Sequence, residues 1–326
     1  MYASASRSFL LLSCSATLAW GLAPPAWADV IGLSASATYS LDGGGPTSIS
    51  QSTPTTAFPN IFPSANSGTT TSSVFGHDYS SQPNGQYAFG TRSSGNGAYS
   101  INGTSIYMQS FTQSPSVGGL YVFNFTIDAG NLSVSLPVGS TGQQSAGVTA
   151  VITETLNGGT SKTLFNYSAS FALTTGGALP SFSETGAKLN PGGPTLAAGS
   201  GNYSWSPYVS NVSLGTLSPG DQVAINYTLT SFAAGTTTTC GSGGTVTAAV
   251  AKPLIARAFA AIGIGIGGGT SGCSAVARIG DPPNIAGGLP TNLQAPSVQP
   301  VAVPEPGTLA LMTVGLGLLP FRRRRA

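Results

Sequence analysis

Hydrophobic and polar residues alternate along most of this chain. Tyr121, Phe123, Phe125 and Ile127 fall on one face of an extended segment, and Asn124 and Thr126 on the other. A period of two marks a strand with one buried side. Asp128-Ala129-Gly130-Asn131 then reads as a turn, and Leu132, Val134 and Leu136 alternate with Ser133 and Ser135, so a hairpin is predicted. A second hairpin is predicted from strands over 148–156 and 163–173, joined at Asn157-Gly158-Gly159, with Phe165, Tyr167, Phe171 and Leu173 buried. In a third case, residues 214–217 lead into Ser218-Pro219-Gly220-Asp221, with Pro and Gly at β-turn positions. Val223, Ile225, Tyr227 and Leu229 follow in alternation.

Weaker strands are predicted over 30–41, 74–79, 86–91 and 98–111. No segment before Pro253 has a helical period. Residues 254–266 are apolar and rich in Ala and Gly, which suits either a short helix or a glycine-weakened core strand. Two stretches, 43–71 and 176–202, read as long loops, and loops of that length are functional or disordered. Many short strands between turns predict an all-β fold, an antiparallel two-sheet sandwich of jelly-roll-like winding. The absence of a fixed-period repeat argues against a β-helix. The body is assigned to 29–286. A linker over 287–302 follows, kept extended and unpaired by Pro290, Pro296 and Pro300.

The two ends differ from this body. Residues 1–28 have a lone Arg7, an apolar run over 9–22 and a small-x-small site at Ala26-Trp27-Ala28. This is the pattern of a secretory signal peptide handled by the Sec translocon and signal peptidase, with the mature chain starting at Asp29. The alternative is an uncleaved anchor, for which the apolar run is short. With the ends set aside, the body carries six cations and eight anions. That leaves no cluster of Lys and Arg with which to hold nucleic acid. Its solubility rests on Ser, Thr, Asn and Gln, a surface suited to life beside other polymers.

Cys14 belongs to the leader, so an exported body keeps Cys240 and Cys273, an even number, and a disulfide between them is predicted. A metal pair or two free thiols is the alternative, but no His or third Cys supports it.

At the C-terminus, Pro304-Glu305-Pro306 precedes an uncharged stretch over 308–319, and Arg322, Arg323, Arg324 and Arg325 close the chain. The prolines hold an extended segment that an enzyme cleft can bind. The apolar stretch forms a short transmembrane helix if the bilayer thins locally. The arginines stay on the cytoplasmic side. This order resembles the PEP-CTERM sorting signal of Gram-negative bacteria, over residues 303–326. The resemblance implies recognition by exosortase, an integral membrane enzyme, removal of the tail, transient anchoring in the inner membrane, and a body delivered to the outer surface or extracellular matrix. It also implies a link to exopolysaccharide and biofilm. Pro320 before the arginines departs slightly from the pattern, and the alternative is a plain tail anchor.

Catalytic chemistry finds little support. His77 is the only histidine, so a His-based metal cluster is excluded and a Ser-His-Asp triad would have to use it; no G-x-S-x-G motif places a nucleophile. It reads as a surface or turn residue. Among the carboxylates, Asp128 and Asp221 fall in turns, Glu184 in a loop, and Glu154 on an apolar strand face, where an edge position or a lysine partner accounts for it. No cofactor is expected. The expectation is a non-enzymatic surface or matrix protein. A carbohydrate-binding module is the alternative, with Tyr203, Trp205 and Tyr208 as possible glycan contacts, and a glycan hydrolase comes third.

Overall fold

A computed structural model describes residues 30–53, 55, 59–67, 72–81, 88–113, 118–241, 272–280 and 297–300. The leader, residues 254–266 and the C-terminal signal lie outside the described residues.

What is described is all-β, with antiparallel sheets and no helix. A seven-stranded sheet runs in the order β12 (Ser181–Gly186), β11 (Lys162–Leu173), β10 (Gln144–Leu156), β16 (Gln222–Thr236), β7 (Ala98–Thr112), β1 (Val30–Leu41) and β2 (Thr47–Ser52). An eight-stranded sheet holds β13 (Thr195–Ala197), β14 (Ser200–Trp205), β9 (Gly130–Ser135), β17 (Ser274–Gly280), β6 (Ala88–Asn96), β5 (Ser73–Ser81) and β3 (Asn60–Ile61), with β4 (Ser64–Asn66) also on β5. The third sheet is β15 (Tyr208–Leu217), β8 (Gly119–Ile127) and β18 (Ser297–Pro300).

Three sheets form, rather than two, because the central strands are long. β16 and β7 pair over 15 residues each, about 50 Å of extended chain. The buried face of β16 carries Val223, Ile225, Tyr227, Leu229, Ser231 and Ala233. The eight-stranded sheet covers its second half, where Ser231 meets Thr91 and Ser93. The three-stranded sheet covers its first half, where the Phe125 and Tyr227 rings lie 5.7 Å apart and Tyr227 donates to the Thr126 carbonyl. The result is sandwich-like, with one continuous sheet against two shorter ones.

The hairpin predicted around Asp128 does not form. β8 pairs with β15 and β18, while β9 pairs with β14 and β17. The chain leaves one sheet at Ile127 and enters another at Gly130, and beside it β14 passes to β15 through Ser206 and Pro207. One two-stranded ribbon is thus broken at a corner, between the pairs Trp205↔Gly130 and Tyr208↔Ile127. Pro207 has no N–H to continue the ladder, and Asp128 accepts the Ala129 N–H. Alternation tells which face is buried, and a strand bending between sheets shows the same alternation as a hairpin.

The Ser218–Asp221 turn forms, with Asp221 N–H donating to the Ser218 carbonyl and the Asp221 carboxylate accepting from Ser218 N–H. It carries the chain from the three-stranded to the seven-stranded sheet. The β10–β11 hairpin is as predicted, with a bulge between Ile152 and Thr153. Asn157 and Gly158 both sit at positive φ, 51° and 68°, the pairing that suits a tight hairpin turn. All four weaker strands are present, and β1 has the predicted bounds. Both expected loops contain short strands among the described residues. The first contains β2, β3 and β4, and the second contains β12, β13 and the start of β14. The linker is corrected at its end: Ser297–Pro300 pairs with β8. Pro300 is tolerated there because β18 is an edge strand.

Cys240 and Cys273 form the expected disulfide. It joins the end of β16 to the start of β17, and so ties the two large sheets together.

Candidate functional site

The Tyr203, Trp205 and Tyr208 group is not an exposed platform. Tyr203 is 1% exposed and Trp205 5%, and both belong to the hydrophobic core; Tyr208 is half-buried against it. Strand period explains this: Tyr203 and Trp205 point inward from β14. Their rings pack 5.6 Å apart, with Phe182 4.8 Å from Tyr203 and Tyr167 6.4 Å from Trp205. Trp205 Nε1 donates to the Asp128 carbonyl at 2.9 Å and pins the corner of the bent ribbon. Gly130 leaves the space this requires, since a Cβ there would overlap the Trp205 ring.

Glu184 is on β12 and not in a loop. Its carboxylate accepts from Tyr203 at 2.5 Å and from Tyr167 at 3.3 Å, closing the edge between the two large sheets. Burial and this bond to Glu184 push the Tyr203 hydroxyl up to about 12. Glu154 is buried, with Lys162 as its cross-strand partner in the hairpin. Burial raises its pKa, and the lysine charge pulls the other way. Asp221 is held in its turn by Asn157 and Ser218, which lower its pKa.

His77 is buried in the middle of β5, against the expectation of a surface or turn residue. Its Nε2 donates to Asn60 Oδ1 at 2.9 Å, and its ring stacks on Phe62 at 4.1 Å. Burial, and then the Arg92 charge, bring its pKa down to about 3, so the ring is neutral. Asp78, next along the strand, points the opposite way, between the large sheets. It accepts from Thr91, which also bonds Ser231, and Ser231 bonds Ser93. Gly103 lies opposite, where a Cβ would overlap Asp78 Oδ1. Burial pushes the Asp78 carboxyl up to about 8, against the opposing bond from Thr91. At neutral pH it is a protonated, sealed acid.

One group of side chains was missed by sequence reasoning. On the outer face of the eight-stranded sheet, Asn131, Arg278, Arg92 and His77 stand in a single row across β9, β17, β6 and β5. Phe62 ends the row, stacked on His77 and 47% exposed. Arg278 and Arg92 are direct cross-strand partners, both half-buried. Arg92 also lies over the Phe75 ring at 5.2 Å. Burial, with Arg278 beside it, brings the Arg92 pKa down to about 10. Residues 92 and 278 are too far apart in sequence for spacing to have paired them.

Among the described residues, no three His, Cys, Asp or Glu side chains converge on a metal position. The sorting residues Pro304, Glu305, Pro306 and Arg322 to Arg325 lie outside the described residues. No family model matches this chain, and no curated protein and no solved structure is similar to it.

Proposed function

We propose that this chain is an exported, non-enzymatic protein of the cell surface or extracellular matrix, cut at its C-terminus by an exosortase. The observation that carries the reading is the order of parts in the tail: Pro304-Glu305-Pro306, an uncharged stretch over 308–319, then four arginines. A tail anchor needs only an apolar span, and the Pro-Glu-Pro just outside it has a use only if something binds there. The disulfide between Cys240 and Cys273 supports passage through an oxidising compartment. The leader over 1–28 supplies the route. The body's polar faces, rich in Ser and Thr and poor in charge, suit a protein held among hydrated polymers.

The test is the intact mass of the protein recovered from cells with and without the exosortase. With the enzyme, the mass lacks residues 1–28 and the final arginines. Without it, or in a triple Pro304→Ala, Glu305→Ala, Pro306→Ala variant, the arginines are retained. A wild-type chain that keeps Arg322 to Arg325 while another substrate in the same cells is cut would overturn the reading.

A further inference from the structure

The outer face of the seven-stranded sheet is composed unlike an ordinary solvated surface, which intersperses lysine, arginine, aspartate and glutamate. The body has six cations and eight anions, yet among the described residues none stands on this face. One row across it is made of hydroxyls alone. Ser168, Thr149, Thr230, Thr104, Ser36 and Ser50 are successive cross-strand partners from β11 to β2. The row spans five strand spacings, about 24 Å. Thr149 and Thr230 bond each other at 2.5 Å, and Ser168 bonds Thr185 at 2.7 Å. A hydroxyl has one donor and two lone pairs. Each bonded pair therefore still offers a donor and acceptors outward, in a fixed orientation.

Phe232 stands in the next row and is 37% exposed. Its cross-strand neighbours are Gly147 and Asn102. A Cβ on Gly147 would come within 2.3 Å of the Phe232 ring. The ring thus lies over Gly147, with one side against the sheet and the other to solvent. Thr230 is two residues along the same strand, and Thr149 is a diagonal neighbour, within reach of a long side chain.

An apolar ring face framed by oriented hydroxyls and an amide fits a sugar. A pyranose with equatorial hydroxyls has C–H groups on its faces and hydroxyls round its edge. The C–H face rests on the electron-rich face of the aromatic ring, and the edge exchanges hydrogen bonds with the row. An anionic polymer would give up hydration here with no cation to compensate. A second copy of the chain would need an apolar interface core, and Asn102, Thr230 and Thr149 around Phe232 supply none.

We propose that the outer face of the seven-stranded sheet, centred on Phe232, binds a neutral polysaccharide of equatorial sugars, a β-glucan. One sugar stacks on Phe232, and its neighbours along the chain bond the hydroxyl row. The site is on a different sheet from Trp205 and Tyr203, and it does not depend on how the C-terminus is processed.

The experiment measures binding of the purified full chain, disulfide intact, to a soluble mixed-linkage β-glucan. The same glucan with its primary hydroxyls oxidised to carboxylates is the comparison. All binding is read well below the lowest melting temperature of the variants. The neutral glucan should bind with an affinity that added salt does not change, and the oxidised one about tenfold more weakly. Phe232→Ala should lose about tenfold in affinity for the neutral glucan, and Phe232→Tyr, which keeps the ring, should retain it. If Phe232→Ala lowers the melting temperature, a Thr149→Val, Thr230→Val double variant carries the test, because valine keeps the branched strand-forming shape. It should lose affinity severalfold at an unchanged melting temperature. No binding of the neutral glucan by wild type, tighter binding of the oxidised one, or wild-type binding by Phe232→Ala overturns the proposal. A wild-type dimer in sedimentation that Phe232→Ala dissociates also overturns it, and assigns the face to a second copy. An unaffected double variant overturns the part given to the hydroxyl row.

Discussion

The long inner face of the seven-stranded sheet meets two different partners, and the two contacts are chemically unlike. Under the three-stranded sheet the contact is aromatic: Phe125 lies 4.9 Å from Phe165 and 5.7 Å from Tyr227, with Val223, Ile225 and Ile152 buried around them. Under the eight-stranded sheet, the middle of the contact is polar: Asp78, Thr91, Ser93, Ser105 and Ser231 are all buried, with Gly103 among them. Both halves show the same alternation in sequence. Burial of area stabilises the first at roughly 25 cal/mol per Å² of apolar surface. The second depends on hydrogen bonds that each contribute only about 1 kcal/mol net, and it is the half that carries the disulfide. A polar contact between sheets is weak unless every group is satisfied, and a covalent tie from β16 to β17 offsets that weakness.

Phe125→Ala should have the largest effect, a loss of about 3–5 kcal/mol, read by urea denaturation. A loss below about 1 kcal/mol would mean that the aromatic half is not the stronger one. Next is removal of the disulfide. Cys240→Ser with Cys273→Ser should cost about 3–4 kcal/mol on the chain-entropy estimate. Hydrogen exchange should rise first in β5, β6 and β17, while β8 and β15 stay protected. Uniform loosening of both halves would remove the distinction.

Asp78→Asn should give the smallest effect and the most specific one. A carboxyl held at about 8 in the folded chain, against an ordinary 3.8, keeps its proton on folding where the unfolded chain has lost it. Its contribution is therefore full below about pH 4 and declines as pH rises to about 8. His77, held at about 3, works in the opposite sense, but only below about 6.5. Between pH 6.5 and 8 wild type should lose stability at up to about 1.4 kcal/mol per pH unit, and Asp78→Asn should flatten that slope. Chemical denaturation across this window is the measurement. Equal slopes in the two proteins would place the Asp78 carboxylate in a solvated position.

Much of this fold was legible beforehand. The strand over 30–41, the turn at Asn157-Gly158 and the alternation of Val223 to Leu229 were all readable, because each depends on neighbours within a few residues. The corner at Asp128 and Pro207 was not, since a local pattern records only the buried side. The strands in 43–71 and 176–202 were hidden by their composition. Ser, Gly and Pro are poor strand formers, and at sheet edges such as β2, β12 and β13 pairing with a neighbour outweighs propensity. The candidate sites divided in the same way. The cysteines were paired correctly by elimination. Trp205 seemed available to a ligand, but its strand turns it into the core.

By itself, the sequence determined that this is an all-β body stapled once, because cysteine parity and alternation are each local or countable. Only the tertiary structure decided that Arg92 and Arg278 stand side by side, that Asp78 is sealed between sheets, and that one long sheet is shared by two. Those arrangements arise when strands distant in sequence find their register, and backbone pairing is blind to the side chains it brings together.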